Sequence, residues 1–178
     1  MRILGVDPGS LLTGYGIIDF DNNELTHITS GVIKIPATKE FAPRLQKIYD
    51  ELDTLINKYH PKEFALETSF YGKNVQSALK IGYARGVSLL AASHNKLEIK
   101  EYSPREIKKA VVGNGASSKV QVQYMIKKLL SYKKNKIKFD ESDALAVAIC
   151  HAFKITSHSK KSRNWKEFVD ANPDKVIE

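Results

Sequence analysis

The chain is poor in cysteine. Its 178 residues hold a single one, Cys150. That excludes an intramolecular disulfide framework and suits a reducing cytoplasm. It also excludes thiolate clusters, so any metal must be held by oxygen or imidazole. Long hydrophobic runs are missing too, and no stretch approaches the length of a membrane span. The N-terminus lacks a basic region followed by a long apolar stretch, so no secretion signal is expected. There is no internal repeat and no low-complexity linker. Acidic residues are the minority charge, 20 against 28 Lys and Arg, which leaves a formal charge of +8 and a pI near 9.4. That balance favours a polyanionic partner, most simply nucleic acid. The segment Lys127–Lys138, KKLLSYKKNKIK, carries six lysines and no acid. Taken alone it reads equally as a solvated helix end and loop.

What remains is ordinary for one folded domain: a hydrophobic fraction of 42% and a length sufficient for its own core. Residues 2–7 read as a buried strand. Residues 14–20 and 25–35 read as two more, joined by a turn at Asp21-Asn22-Asn23, which suggests an antiparallel meander. Residues 43–59 place Leu45, Ile48, Tyr49, Leu52, Leu55, Ile56 and Tyr59 on one helical face, with Pro61 ending the helix. Glu63–Glu67 is a fourth strand and Leu97–Tyr102 a fifth. Helices are expected over 73–94, 104–112, 119–130 and from Asp140 onward. The order predicts an α/β fold, one mixed five-stranded sheet flanked by helices. Residues 1–154 form the domain. Residues 155–178 read as a basic, weakly structured tail.

Four acids stand out. Asp7 closes a buried strand and is followed by Pro8-Gly9, so it needs a partner or a metal. Glu67 closes the fourth strand. If those two strands are adjacent and parallel, both carboxylates emerge at one sheet edge, where open α/β sheets place ligands. Asp140 and Asp143 lie three residues apart on one helix face, roughly 5–6 Å between Cβ atoms, and repel. A divalent cation would remove that repulsion, and magnesium suits an all-oxygen site. Locally, Asp140 also reads as an N-cap and Asp143 as a first-turn acid favouring the helix dipole. Two ions held by carboxylates are a standard device for cleaving phosphodiesters. Gly14 and Gly16 leave space either for a crossing chain segment or for DNA. His151 lies eight residues beyond Asp143, roughly 12 Å along a helix. It reads as structural, and Cys150 as packing.

Four segments together, GVDPGSLLTGYG (5–16), ALETSFYGKNVQSALKIGYARG (65–86), EYSPREIKKAVVGNGASSKVQVQ (101–123) and FDESDALAVAICHA (139–152), resemble the bacterial RuvC-type crossover junction endodeoxyribonucleases, the Holliday-junction resolvases. They run in that family's order and span most of the first 154 residues. The resemblance implies a ribonuclease-H-like fold, a homodimer and Mg²⁺-dependent paired nicking of a four-way DNA junction in recombination and repair. It implies two Mg²⁺ per site, with Mn²⁺ able to substitute, and a RuvA–RuvB-type branch-migration partner. By position, Asp7, Glu67, Asp140 and Asp143 are the catalytic, metal-holding acids. The position of Asp140 is His in some family members. Phe70, Lys108 and Lys119 match DNA-contacting positions, and the helix 73–94 matches the dimer contact. Acidic strand ends followed by glycine also occur in actin-like phosphotransferases. Those use two lobes and a second glycine-rich phosphate loop, for which this chain has no room. A non-catalytic junction-binding module would not require all four acids.

Overall fold

The computed structural model describes residues 1–36, 40–68, 75–132 and 137–161, with side chains to Thr156. Three strands form the expected meander: β1 (Arg2–Asp7), β2 (Leu12–Asp21) and β3 (Glu24–Lys34). Helix α1 (Ala42–Tyr59) follows, then β4 (Glu63–Glu67), α2 (Val75–His94), β5 (Glu98–Tyr102), α3 (Pro104–Val112), α4 (Lys119–Leu129) and α5 (Phe139–Lys161). The sheet order is β3-β2-β1-β4-β5, with β1 antiparallel to β2 and parallel to β4, and β4 parallel to β5. No helix among the described residues is long and apolar enough to cross a membrane.

Strand alternation sorts the side chains onto two faces. Leu4 and Val6 of β1, Ile17 of β2, and Phe64 and Leu66 of β4 pack with Ile48, Leu52 and Ile56 of α1 and with Ala84, Ala91 and Ala92 of α2. Ile3, Ile18, Ala65 and Tyr102 face the other way, onto α3, α4 and α5. The result is three layers, helices on both faces of one sheet. Helix α1 ends at His60, whose left-handed backbone caps the helix one residue before Pro61. Helices α3 and α4 each begin with a capping box, Ser103 with Glu106 and Ser118 with Gln121.

One expectation changes. Helix α5 does not fade at residue 154; it runs to Lys161, seven residues into the expected tail. The small residues of α2 divide between a buried face and an open one. Ala84, Ser88, Ala91 and Ala92 are buried, whereas Gly82 and Gly86 face open space. Phe70 and Lys133–Lys136, within the lysine-rich segment, lie outside the described residues.

Candidate active site

The site begins with register. Parallel pairing of β1 and β4 runs from Ile3 beside Glu63 to Val6 beside Leu66, so the next pair along is Asp7 and Glu67. Alternation turns both toward α5, since their neighbours Leu4, Val6, Phe64 and Leu66 all belong to the opposite core. Two carboxylates therefore emerge together where the parallel strands end.

Helix α5 supplies the others, and glycines admit it. On β1 and β2 the positions facing α5 include Gly5, Gly14 and Gly16. A Cβ on Gly14 would sit 2.0 Å from the Asp140 carbonyl oxygen, and one on Gly5 would sit 2.3 Å from that of Ala144. At Gly16 the Leu145 side chain fills the space, 2.7 Å from where a Cβ would be. The helix answers with small residues of its own, Ala144 and Ala148, both fully buried. Its backbone thus lies directly on the sheet, and its first turn arrives beside Asp7, which pairs with Gly14. This decides the two readings of Gly14 and Gly16: the space is taken by a crossing helix. Gly9 likewise serves a close approach, its Cβ position lying 2.1 Å from the Leu12 carbonyl oxygen. The Thr13 hydroxyl donates to the Gly9 carbonyl at 2.8 Å and holds that turn.

The carboxylates feel one another. Asp7 is pushed up to about 6, first by desolvation, then by the charge of Asp143, with a smaller push from Asp140. Glu67 is pushed up to about 8 by desolvation and then by Asp7 and Asp143. Lys119 opposes both shifts, and Lys108 opposes the shift of Glu67. The Lys119 ammonium donates to Asp143 Oδ2 at 2.7 Å, and this bond raises the lysine's own pKa. Glu67, Lys108, Lys119 and Asp143 share the walls of a cleft of about 120 Å³ with Pro104 and Ile107.

Asp140 is not an N-cap, because the helix already includes Phe139. Of the four acids it bears on the site least, entering through Asp7 and more weakly than Asp143. The oxygens are not drawn into a ligand shell: no three acid, imidazole or thiol groups among the described residues stand at the spacing that holds an ion. The donor chemistry nevertheless fits a hard divalent cation. It is all carboxylate, and two of its members are destabilised in the charged form by burial and by each other. Lys119, 62% exposed, and Lys108 supply positive charge against them.

Sequence reasoning missed Glu141, which sits between two of the four acids. It is buried and accepts hydrogen bonds from Ser30 Oγ at 2.8 Å and Tyr132 Oη at 2.9 Å. His27 Nε2 bonds the same Ser30 hydroxyl at 2.8 Å. This network ties the first turn of α5 to β3 and to the segment leaving α4. Nothing local in the sequence distinguishes Glu141 from a solvated first-turn acid; its partners are 9 and 111 residues away. His151 is structural, as expected. It is buried between the Tyr102 hydroxyl at 2.7 Å and Glu63 Oε2 at 3.1 Å, and burial lowers its pKa despite the carboxylate. Cys150 is buried and its thiol is pushed up to about 12 by desolvation.

Residues 3–151 match the family model described as crossover junction endodeoxyribonuclease RuvC. The chain belongs to the RuvC family. Its relatives include the crossover junction endodeoxyribonuclease RuvC of Chloroherpeton thalassium, 44% identical over 99% of this chain and 100% of that one. The Geobacter sulfurreducens family member is 48% identical over 85% of this chain and 92% of its own. Among solved structures, Thermus thermophilus RuvC superposes with a TM-score of 0.81 at 26% identity, covering 89% of this chain and 97% of that one. The same Thermus thermophilus protein in complex with a Holliday junction substrate gives a TM-score of 0.83 at the same identity and coverage. The mixed five-stranded sheet with helices on both faces is thus the RuvC fold of the resolvases.

Proposed function

We propose that this chain is a structure-selective endonuclease that resolves Holliday junctions by paired, symmetric nicking of two strands of a four-way DNA junction. The observation carrying this reading is the meeting of Asp7 and Glu67 at the end of a parallel strand pair, with Asp143 of α5 electrostatically coupled to both. Family membership supports the same activity, since the matching relatives are crossover junction endodeoxyribonucleases. The nuclease domain is assigned to residues 1–154 and the tail to 155–178, with α5 running across that boundary to Lys161.

Asp7, Glu67 and Asp143, with Asp140 at the margin, would hold divalent metal. Mg²⁺ is the proposed ion, two per site, with Mn²⁺ able to substitute. Such ions supply Lewis-acid stabilisation of the phosphodiester and an activated water. The protein's own residues do the rest. β1 and β4 present Asp7 and Glu67 from rigid backbone, which limits the reorganisation needed before cleavage. Lys119 neutralises Asp143 until the site is loaded and then contacts the DNA backbone. Lys108, which also lines the cleft, serves the same strand, and Phe70 contacts the junction. The net charge of +8 offsets the repulsion that four acids impose on a polyanion.

A two-fold dimer suits a junction, which offers two equivalent strands to two equivalent sites. One face of α2 supports it: Val75, Leu79, Tyr83 and Leu90 are exposed, and Gly82 and Gly86 on the same face are open. A RuvA–RuvB-type branch-migration complex is the proposed partner, and the cytoplasm the proposed location. The test compares a synthetic four-way junction with a linear duplex, each with and without Mg²⁺. Paired symmetric nicks on the junction alone, dependent on the ion, are expected. ATP turnover without junction cleavage would overturn the reading in favour of a phosphotransferase.

A further inference from the structure

Beside the acidic cleft lies a second, larger cavity. It encloses about 420 Å³ between the first turn of α3, at Pro104, Arg105 and Lys108, and the α3–α4 loop, at Asn114, Gly115 and Ala116. Its volume falls in the range of small-ligand sites, about 300–1,000 Å³. Pro104 and Lys108 line both cavities, so the two adjoin across one turn of helix. No acid among the described residues lines this one. Glu106, the nearest on the helix, is turned back to its capping bond with Ser103 and an ion pair with Lys154 at 3.7 Å.

The cavity is held in shape. Gly113 caps α3 in the left-handed region at φ 82°, and the Ala116 amide donates to Asn114 Oδ1 at 3.0 Å. The Ser117 hydroxyl donates to the Asn114 carbonyl at 2.8 Å. Gly115 lies flat against Arg105: a Cβ there would be 2.6 Å from Arg105 Cγ and 3.1 Å from its carbonyl oxygen. The arginine stem is thus seated on loop backbone. Neither Arg105 nor Lys108 forms an ion pair among the described residues. Two cations, one of them a fork suited to bidentate phosphate contact, line one cavity that no acid among the described residues lines, and Lys108 also faces Glu67 across the adjoining cleft.

We propose that this cavity is a second phosphate subsite, in which Arg105, with Lys108, binds the DNA backbone phosphate next to the one being cut. The inference rests on the nuclease reading above and adds to it a residue that sets how the strand is placed along the cleft. A strand leaving the acidic cleft over Lys108 meets Arg105 next. Two adjacent phosphates, gripped from separate walls, fix which phosphodiester faces the carboxylates.

The test uses the full chain and four-way junctions carrying one neutral methylphosphonate at successive positions around the cut, with binding measured without Mg²⁺. Wild type loses about 5–20-fold in affinity at one flanking position, in keeping with a charge-assisted contact. Arg105→Ala shows a similar loss on the unmodified junction, no further loss at that position, and a salt slope smaller by about one unit. Arg105→Lys recovers part of the affinity. If Arg105→Ala binds the unmodified junction as wild type does, or stays as sensitive as wild type at every position, the subsite is wrong while the nuclease reading stands. If wild type neither binds nor nicks the junction, both fall.

Discussion

At Glu67, desolvation and the charges of Asp7 and Asp143 act in the same direction, and the carboxyl is pushed up to about 8. Asp7, under similar influences, reaches about 6. An acid whose folded pKa is raised keeps its proton in the folded state after the unfolded chain has lost it. Stability then falls with rising pH, from about pH 4, where the unfolded acids ionise, through 6 and 8, and levels above that. The metal-free protein should therefore melt lower at pH 8.5 than at pH 5.5. Glu67→Gln removes the larger share of that slope. We expect it to stabilise the metal-free protein at pH 8.5 by about 2–4 kcal/mol while abolishing nicking. Thermal melts at both pH values, with and without the substitution, check this; an unchanged slope in the variant would show that Glu67 is not the strained acid. The sequence made Asp7 conspicuous because a carboxylate ended an apolar strand. It made Glu141 inconspicuous, since its burial depends on Ser30 and Tyr132 folding over it.

Among the elements, α5 matters most for the site because it carries Asp140 and Asp143 and must lie nearly in contact with the sheet. The three α5-facing glycines permit that approach. Gly14→Ala would place a methyl group 2.0 Å from the Asp140 carbonyl oxygen, so the helix must shift. The expected cost is about 1–3 kcal/mol of stability, typical of overpacking. The loss of nicking should be larger than that destabilisation accounts for, since the first turn of α5 moves with the backbone. Melting temperature and nicking rate measured on one preparation test this; a variant as active as wild type would mean that α5 need not lie so close. The elements themselves were legible: the strands β1 to β5 and the helical stripe of α1 stand where the sequence pattern puts them. Less legible was the purpose of Gly14 and Gly16, because the sequence does not say which segment crosses them. The end of α5 was read too early, because the polar residues after Lys154 weaken the amphipathic pattern while backbone helicity continues to Lys161.

For the molecule as a whole, the exposed apolar face of α2 is the feature a monomer does not explain. Leu79, Tyr83 and Leu90 are each more than half exposed, at 54%, 52% and 59%. Charged substitutions there should divide the proposed dimer without disturbing the buried face formed by Ala84, Ser88, Ala91 and Ala92. Leu79→Glu combined with Tyr83→Glu is expected to halve the mass seen by light scattering and keep the melting temperature. It should also abolish paired nicking. A double variant that stays dimeric would place the interface elsewhere.

The proposed cleavage falls to the acids gathered at the end of β1 and β4 and on α5. Asp143→Asn tests it most directly, since that side chain is coupled to both strand-end acids and its loss removes one charge with almost no change of shape. Nicking of a four-way junction in Mg²⁺ and binding of the same junction by gel shift should be measured side by side with wild type. We expect binding retained and nicking reduced at least about 100-fold. Cutting by Asp143→Asn at the wild-type rate would contradict the assignment of the carboxylates.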